Sequence, residues 1–340
     1  MVFLAVFLAA FLLALLLTPP VARWARAHAF FYAARAQDIH TRVTPRLGGV
    51  PIFAAFLAAV GLAWALPVPR PDVQEPLRVA GVLLGATVIL LLGVRDDRRP
   101  LPPLPQLAGQ IAAATAAVAL GVRADFIANP FGGTLDFSLW LSVAFTLVWI
   151  LGATNTVNWL DGLDGLAAGV TAIAALALAL HSFRLGQSSI ALLALALAGA
   201  SLGFLPHNFY PARIFLGGGA YLLGYLLGTL SIIGGTKGAT LLLVLGIPIL
   251  DTAWQIAGRL RRGRSPLEAE RAHLHHRLFD LGLSQPRVVA LYYALSVTFG
   301  ALALGLPTGL EKLAALVGVV LVLGILLVLL QRQGGPRTHT

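Results

Sequence analysis

The sequence consists largely of apolar blocks separated by short polar stretches, and this pattern restricts the fold more than any other feature. The blocks run for about 17 to 22 residues, the length at which a helix crosses about 30 Å of hydrocarbon. Only 11% of the residues are charged, whereas a soluble domain carries about 25%. The pattern therefore predicts an all-α, polytopic membrane protein.

About eleven transmembrane helices are expected from these blocks. Residues 1–330 would form one integral-membrane domain, and 331–340 would form a polar cytoplasmic tail. The helices are expected at 2–22, 48–66, 77–94, 106–122, 138–153, 162–183, 188–206, 214–233, 236–256, 288–306 and 311–330.

The distribution of arginine and lysine predicts the orientation in the membrane. Of the 24 basic residues, 18 fall on one side of the predicted bilayer and 6 on the other. Cytoplasmic loops carry the excess of basic residues, so we expect the N-terminus outside and the C-terminus in the cytoplasm. The net charge of +10 then favours contact with anionic lipid and an anionic substrate rather than with nucleic acid. The predicted cytoplasmic loops are 23–47, 95–105, 154–161, 207–213 and 257–287.

Two adjacent aspartates, Asp96 and Asp97, follow the third block. Neighbouring carboxylates repel each other, and a divalent cation or nearby arginines would keep both of them ionised. Arg95, Arg98 and Arg99 flank the pair. Taken alone, the pair favours a solvated, charge-balanced loop.

A polar segment between the fifth and sixth blocks favours a functional site. Asn155, Asn158, Asp161 and Asp164 recur every three residues, which brings two amides and two carboxylates near one face of a helix end. Oxygen ligands of this kind suit Mg²⁺, which commonly bridges to substrate phosphates. Asn and Asp also cap helices, but one cap needs only one such residue.

Three histidines, His273, His275 and His276, lie in the longest predicted loop, downstream of arginines that include Arg264. Imidazoles can ligate zinc, but only His273 and His276 share a helix face and the chain has no cysteine. We favour recognition of an anion by these side chains. A solvated basic loop is the alternative.

All of these groups, together with His40 and Arg46 in the first predicted loop, fall on the cytoplasmic side. A transporter would place its polar groups near the middle of the bilayer, so the pattern indicates a site at one face. The run Gly217–Gly219 opens the eighth block on the same side. It is compatible with phosphate binding at a helix start and equally with close helix packing.

Together, these segments resemble the polyprenyl-phosphate N-acetylhexosamine-1-phosphate transferases, a superfamily that initiates bacterial envelope glycans. The order of the segments is also that of the family. The matching stretches are HTRVTPRLGG at 40–49, GVRDD at 93–97, NTVNWLDGLDGL at 155–166, PILDTAW at 248–254 and GRSPLEAERAHLHHRL at 263–278.

The resemblance implies that undecaprenyl phosphate attacks the β-phosphorus of a UDP-N-acetylhexosamine and releases UMP at the cytoplasmic face of the bacterial inner membrane. It implies a requirement for Mg²⁺, with Mn²⁺ as a substitute, and a homodimer. Asp96, Asp97 and Asp161 would be catalytic, and Asp97 and Asp161 would hold the metal. The substrate-binding residues would be His40, Arg46, Asn155, Asn158, Asp164, Arg264, His273, His275 and His276.

The donor is expected to be UDP-GlcNAc, for a polymer such as lipopolysaccharide or teichoic acid. The muramoyl-pentapeptide branch more often has three consecutive histidines followed by Phe-Glu, whereas Arg277 and Leu278 follow His276 here. The phospho-N-acetylmuramoyl-pentapeptide transferase of peptidoglycan synthesis is the alternative.

The chain departs from the family pattern at the start of the eighth block. The family usually carries Phe-Met-Gly-Asp there, with the aspartate as a metal ligand, whereas this chain reads Phe215-Leu216-Gly217-Gly218-Gly219. The aspartate is replaced by Gly218 or deleted, and loss of a carboxylate should weaken metal binding. A catalytically degenerate scaffold or transporter is therefore the further alternative.

Overall fold

The computed structural model describes residues 1–31, 44–233, 235, 237–261, 263, 273–306 and 308–333. Within these residues it contains thirteen helices and one antiparallel pair of strands, β1 (Phe126–Ala128) and β2 (Thr134–Asp136). The helices are α1 (Val2–Ala27), α2 (Gly49–Ala65), α3 (Glu75–Arg98), α4 (Pro103–Ala119), α5 (Leu139–Leu160), α6 (Leu166–Arg184), α7 (Ser188–Asn208), α8 (Gly219–Leu230), α9 (Gly238–Val244), α10 (Gly246–Arg261), α11 (Leu274–Asp280), α12 (Gln285–Gly305) and α13 (Gly309–Gln333).

The prediction of an all-α, polytopic membrane protein is confirmed. Six described helices are long and apolar enough to cross a membrane, namely α1, α3, α5, α6, α7 and α12. The bent pair α9 and α10 would make a seventh span, and α2 and α8 are shorter apolar helices. The number of eleven spans and the orientation of the termini stay predictions.

The prediction of one continuous span at 236–256 is wrong, because the structure breaks this block into α9 and α10. The two helices are bent by 79° at the break, where Leu245 separates them. Pro248 has no N–H to donate to the carbonyl of Val244, and its ring would clash with that carbonyl in a straight helix. The helix therefore restarts at Gly246 in a new direction.

The predicted loops are partly helical, including two that carry residues of the predicted site. The predicted loop 154–161 contains the last two turns of α5, and the first residues of 95–105 still belong to α3. Helix α3 ends because Pro100 forces the preceding residue out of the helical region, and Arg99 is extended there. The two aspartates and the two asparagines of the predicted site thus lie on helix ends, which fixes their directions better than a loop would.

Helix α8 forms the centre of the molecule and determines where the other helix ends meet. All of its residues are buried, and it packs against α2, α3, α5, α6 and α7. Its amino end begins at Gly219, directly after the run of glycines. Because its neighbours surround it on every side, the polar ends of several helices converge around this one end of α8.

Candidate active site

Helices α2, α3 and α8 approach one another so closely that glycine is required at the contact. A Cβ atom on Gly218 would overlap the Cα of Gly93 in α3. A Cβ on Gly219 would lie 2.5 Å from the backbone nitrogen of Gly49 in α2. Of the two roles compatible with the sequence, phosphate binding and helix packing, the glycine run therefore serves helix packing. It brings α3 and α8 together beside Asp97.

Asp97 is a buried carboxylate that joins three elements. Its Oδ1 accepts the backbone N–H of Gly218 at 2.9 Å and lies 3.1 Å from Nε of Arg46. Only 5% of Asp97 is exposed. Within the part of the chain that the structure describes, its Oδ2 has no hydrogen bond or ion pair. One oxygen thus fixes the carboxylate, and the other remains available for a ligand.

Asp96 fixes the connection between α3 and α4. Its Oδ1 accepts the backbone N–H of Leu101 at 2.8 Å and the Nε2 amide of Gln106 at 3.0 Å. Asp96 is only 8% exposed. The interpretation of the aspartate pair as a solvated loop is therefore wrong, because α3 continues past both residues and packs them under neighbouring elements.

Tyr221 belongs to this cluster, although the sequence analysis did not identify it. Its phenol lies beside the side chain of Asn158 and within electrostatic reach of Asp96, Asp97 and Arg46. It thereby connects the aspartate pair with the polar end of α5. The available signal was a tyrosine one turn into an apolar helix, since a buried phenol usually has a hydrogen-bond partner.

Asn155 has a contact that its sequence position did not reveal. Its Nδ2 donates to Oε1 of Gln110 at 2.7 Å, and Nε2 of Gln110 donates back to Oδ1 of Asn155 at 3.3 Å. Gln110 lies in α4 and is buried. The amide pair fastens α4 to α5, so a substrate contact by Asn155 would compete with this bond. Asn158, one turn later, lies beside Tyr221 instead.

The turn after α5 carries two carboxylates in different surroundings. Asp161 ends α5 and is half-buried. Asp164 is buried, and its Oδ2 accepts the backbone N–H of Ala212 at 2.9 Å. The hydroxyl of Tyr293 donates to the carbonyl of Gly165 at 2.6 Å. Asp164 thus anchors the turn, while Asp161 is the more accessible carboxylate.

The histidine motif packs directly on this turn. A Cβ on Gly162 would overlap Nε2 of His275 and lie 3.1 Å from Nε2 of His276. The imidazole rings of His275 and His276 have centroids 4.3 Å apart. Two motifs that are far apart in the sequence therefore meet, and Gly162 is the residue that allows the approach.

His273 is oriented by a carboxylate from α10. Its Nδ1 lies 2.8 Å from Oδ2 of Asp251, whose Oδ1 accepts the backbone N–H of Leu274 at 3.0 Å. Asp251 therefore caps α11 and orients the imidazole at the same time. Asp251 lies in the matching segment at 248–254, where the sequence indicated no role for its side chain.

His275 is buried and uncharged at neutral pH. Burial, followed by the neighbouring His276 and His273, lowers the pKa of the His275 imidazole. Its side chain is 1% exposed, so the interpretation of the described histidines as part of a solvated basic loop is wrong. His273 and His275 are buried because α11 packs against α12 and is joined to α10 through Asp251.

Two predicted site residues, His40 and Arg264, lie outside the described residues. Arg46, Asp97, Tyr221 and Asn158 lie near one another, and Gly162, the residue after Asp161, packs against His275 and His276. Among the residues with described positions, no three His, Asp or Glu side chains form a ready-made metal cluster. Mg²⁺ needs only one or two carboxylates beside water and phosphate oxygens, so the free Oδ2 of Asp97 fits such an ion.

Comparison with known proteins identifies similar sequences. Residues 79–235 match the family model described as glycosyl transferase family 4. Decaprenyl-phosphate N-acetylglucosaminephosphotransferase of Mycolicibacterium smegmatis is 35% identical, over 90% of this chain and 84% of that protein. A probable undecaprenyl-phosphate N-acetylglucosaminyl 1-phosphate transferase of Bacillus subtilis is 32% identical, over 91% and 86%. Phospho-N-acetylmuramoyl-pentapeptide-transferase of Desulforudis audaxviator is 34% identical, over 78% and 85%.

Proposed function

The chain belongs to the polyprenyl-phosphate N-acetylhexosamine-1-phosphate transferase superfamily, and we propose that it transfers GlcNAc-1-phosphate from UDP-GlcNAc to undecaprenyl phosphate with release of UMP. The observation that carries this proposal is the convergence of separated motifs around the amino end of α8. Asp97 binds Gly218 at this end, Tyr221 lies near both Asp97 and Asn158, and Gly162, in the same motif as Asn158, packs against His275.

The buried groups of this site suit the binding of charged phosphates. A lipid phosphate is already ionised near neutral pH, so the attack needs little help from a general base. Positioning and charge neutralisation then supply most of the rate. In the proposed site Arg46 neutralises phosphate charge beside Asp97, and His276 and His273 bind the diphosphate or the sugar. Asp96 positions the α3–α4 connection through its hydrogen bonds.

The proposal includes Mg²⁺, with Mn²⁺ as a substitute, held by Asp97 and Asp161. Such an ion would neutralise charge on the diphosphate of the donor. Support for Asp97 comes from its Oδ2, which has no protein partner among the described residues, while Oδ1 is fixed by Gly218 and Arg46. Asp161 is the half-buried carboxylate at the end of α5. Because Gly218 supplies no carboxylate, we expect weaker binding of the metal than in family members that have the aspartate.

The remaining parts of the proposal concern the setting of the enzyme. We propose a location in the bacterial inner membrane with eleven spans, an outside N-terminus and the site at the cytoplasmic face. The excess of basic residues on that side supports this orientation. The product would start a polymer such as lipopolysaccharide or teichoic acid, and a homodimer is proposed from family membership alone.

The second candidate is transfer of phospho-N-acetylmuramoyl-pentapeptide. It is favoured by relatives of that name, including the Desulforudis audaxviator protein and a Moorella thermoacetica protein that is 32% identical. The first candidate rests on relatives named for N-acetylglucosamine at 32 to 35% identity over most of the chain. Both reactions would use the same phosphate site, so the two candidates differ only in the sugar.

Release of UMP tests the proposal. Detergent-purified protein is given undecaprenyl phosphate, UDP-GlcNAc and Mg²⁺, with parallel reactions that lack lipid, lack metal or contain UDP-MurNAc-pentapeptide. We expect UMP only when lipid, metal and UDP-GlcNAc are present together. Selective use of the pentapeptide donor would establish the second candidate. If folded protein releases no UMP with either donor, in the presence of Mg²⁺ or of Mn²⁺, the result would instead support the degenerate scaffold.

A further inference from the structure

A polar pocket lies at the end of α3 opposite to Asp97. Arg78 and Asp97 are 19 residues apart on this helix, which corresponds to about 28 Å at 1.5 Å per residue. The pocket has a volume of about 100 Å³. It is lined by Arg78, Gly121, Arg123, Asp125, Phe126, Ile232, Ile233 and Gly235.

The first guanidinium of the pocket, that of Arg78, is fixed by two hydrogen bonds, and its Nε–H is unused. Its Nη1 donates to Oδ2 of Asp72 at 2.7 Å, and its Nη2 donates to Oε1 of Gln74 at 3.2 Å. The Nε of Arg78 is buried and has no hydrogen-bond partner. A buried donor without a partner is rare enough in folded proteins to call for an explanation.

The second guanidinium, that of Arg123, also has a buried Nε–H without a hydrogen bond. Its Nε lies 3.5 Å from Oδ1 of Asp125, but it is buried and makes no hydrogen bond. That oxygen already accepts the hydroxyl of Ser142 at 2.8 Å. The backbone N–H of Ala124 donates to Oγ1 of Thr146 at 2.9 Å, which fastens this segment to α5. The backbone that carries Arg123 is therefore held in place.

A buried lysine adds positive charge beside the pocket. Nζ of Lys237 donates to the carbonyls of Ile233 and Gly235, two residues of the pocket wall, at 3.0 and 3.3 Å. Lys237 is 1% exposed, and among the described residues no carboxylate forms an ion pair with it. Asp72 and Asp125 balance the two arginines, so Lys237 leaves an excess of positive charge.

We propose that this pocket binds an oxyanion of the phosphate class. Such an anion would accept hydrogen bonds from both unused Nε–H groups and would neutralise the excess charge. Water is the simplest rival occupant, since the volume corresponds to about three molecules at about 30 Å³ each. Water would accept the same hydrogen bonds but would leave the charge of Lys237 uncompensated. The phosphate comes either from a phospholipid headgroup or from free phosphate.

Thermal unfolding of detergent-purified protein tests binding of free phosphate. Inorganic phosphate is titrated at constant ionic strength into wild type, Arg123→Gln and Arg184→Gln. Arg184 is the matched control because it is exposed and does not line the pocket. We expect phosphate to raise the unfolding temperature of wild type and Arg184→Gln, with half-saturation at about tenfold higher phosphate in Arg123→Gln. If Arg123→Gln does not fold, Arg123→Lys is measured, which keeps the charge but loses the Nε–H.

Native mass spectrometry tests the lipid source. The same variants are extracted from phosphatidylglycerol and from phosphatidylcholine vesicles, and the retained lipids are counted. A phosphatidylglycerol molecule retained by wild type and Arg184→Gln but lost from the Arg123 variant supports a headgroup in the pocket. A phosphate shift that depends on Arg123 supports a soluble anion. The proposal is overturned if the Arg123 variant matches the control in both measurements, which is the result expected for a pocket filled by water.

Discussion

Among single residues, the two adjacent aspartates have different tasks. Asp96 uses Oδ1 to hold the connection to α4, whereas Asp97 uses Oδ1 to bind Gly218 and Arg46 across three elements. Their order in the sequence gives no sign of this difference, because it depends on which neighbour packs against each carboxylate. Asp97 is therefore the residue whose charge should matter most to turnover.

Replacement of Asp97 by asparagine should reduce the rate of UMP release at least about 100-fold, the usual effect of removing one charged group from a reacting site. The near-isosteric amide keeps an oxygen for the N–H of Gly218 but removes the charge opposite Arg46. The rate is measured in the lipid-dependent assay. Asp136→Asn, an exposed aspartate in β2, is the control. Equal rates for both variants would contradict the assignment of Asp97.

His275 should make the stability of the protein depend on pH. Its folded-state pKa is lowered from the usual 6.5, because burial and the adjacent His276 and His273 disfavour the charged ring. Below about 6.5 the unfolded chain binds a proton that the folded state rejects, so stability should fall as the pH falls. When the pH is lowered from 7.5 to 5.5, the unfolding temperature of His275→Asn should fall less than that of wild type. His28→Asn, which alters an exposed histidine, is the control and should behave as wild type. An equal fall of the unfolding temperature in all three proteins would contradict the assignment of the pH dependence to His275.

At the scale of helices, glycines in α2, in α3 and at the start of α8 allow these helices to pack closely beside the site. Gly93 and Gly218 touch through their backbones, and Gly49 faces Gly219 in the same way. The departure from the family sequence at Gly218 is therefore coupled to the approach of α3 to α8. An aspartate at that position would need a different spacing between these two helices.

Substitution of Gly218 by alanine should destabilise the protein by about 1–3 kcal/mol, the usual cost of overpacking a tight contact. The added Cβ would overlap the Cα of Gly93 and push α3 away. The unfolding temperature and the rate of UMP release are both expected to fall. Gly152→Ala in α5 is the control, because a Cβ there has no neighbour within 4 Å. If both variants were equally stable, the helices would have more freedom to separate than the structure shows.

At the scale of the whole molecule, the apolar blocks were predictable and their interruptions were less so. Each predicted block contains a helix, because membrane insertion imposes apolar composition over a whole span. The break at Leu245 and the short helix α11 depend on Pro248 and on capping by Asp251. The contact of Gly162 with the histidine motif is tertiary, so spacing along the chain could not predict it.

The contact between the turn after α5 and the histidine motif should couple the two halves of the site. Gly162→Ala would place a methyl group against the rings of His275 and His276. We expect a rate of UMP release reduced about tenfold or more, since small misplacements of catalytic groups are costly. Gly61→Ala in α2 is the control, because its backbone is helical and a Cβ there has no neighbour within 4 Å. A normal rate for Gly162→Ala would show that the two motifs act independently.

The most direct test of transfer of a sugar phosphate follows the β-phosphorus of the donor. UDP-GlcNAc labelled at the β-phosphate is incubated with purified protein, Mg²⁺ and undecaprenyl phosphate, and the lipid and aqueous phases are separated. Transfer of GlcNAc-1-phosphate predicts that the label enters the lipid in equal amount to the UMP released. Label that stays in the aqueous phase while sugar enters the lipid, or lipid that gains neither, would contradict the proposed reaction.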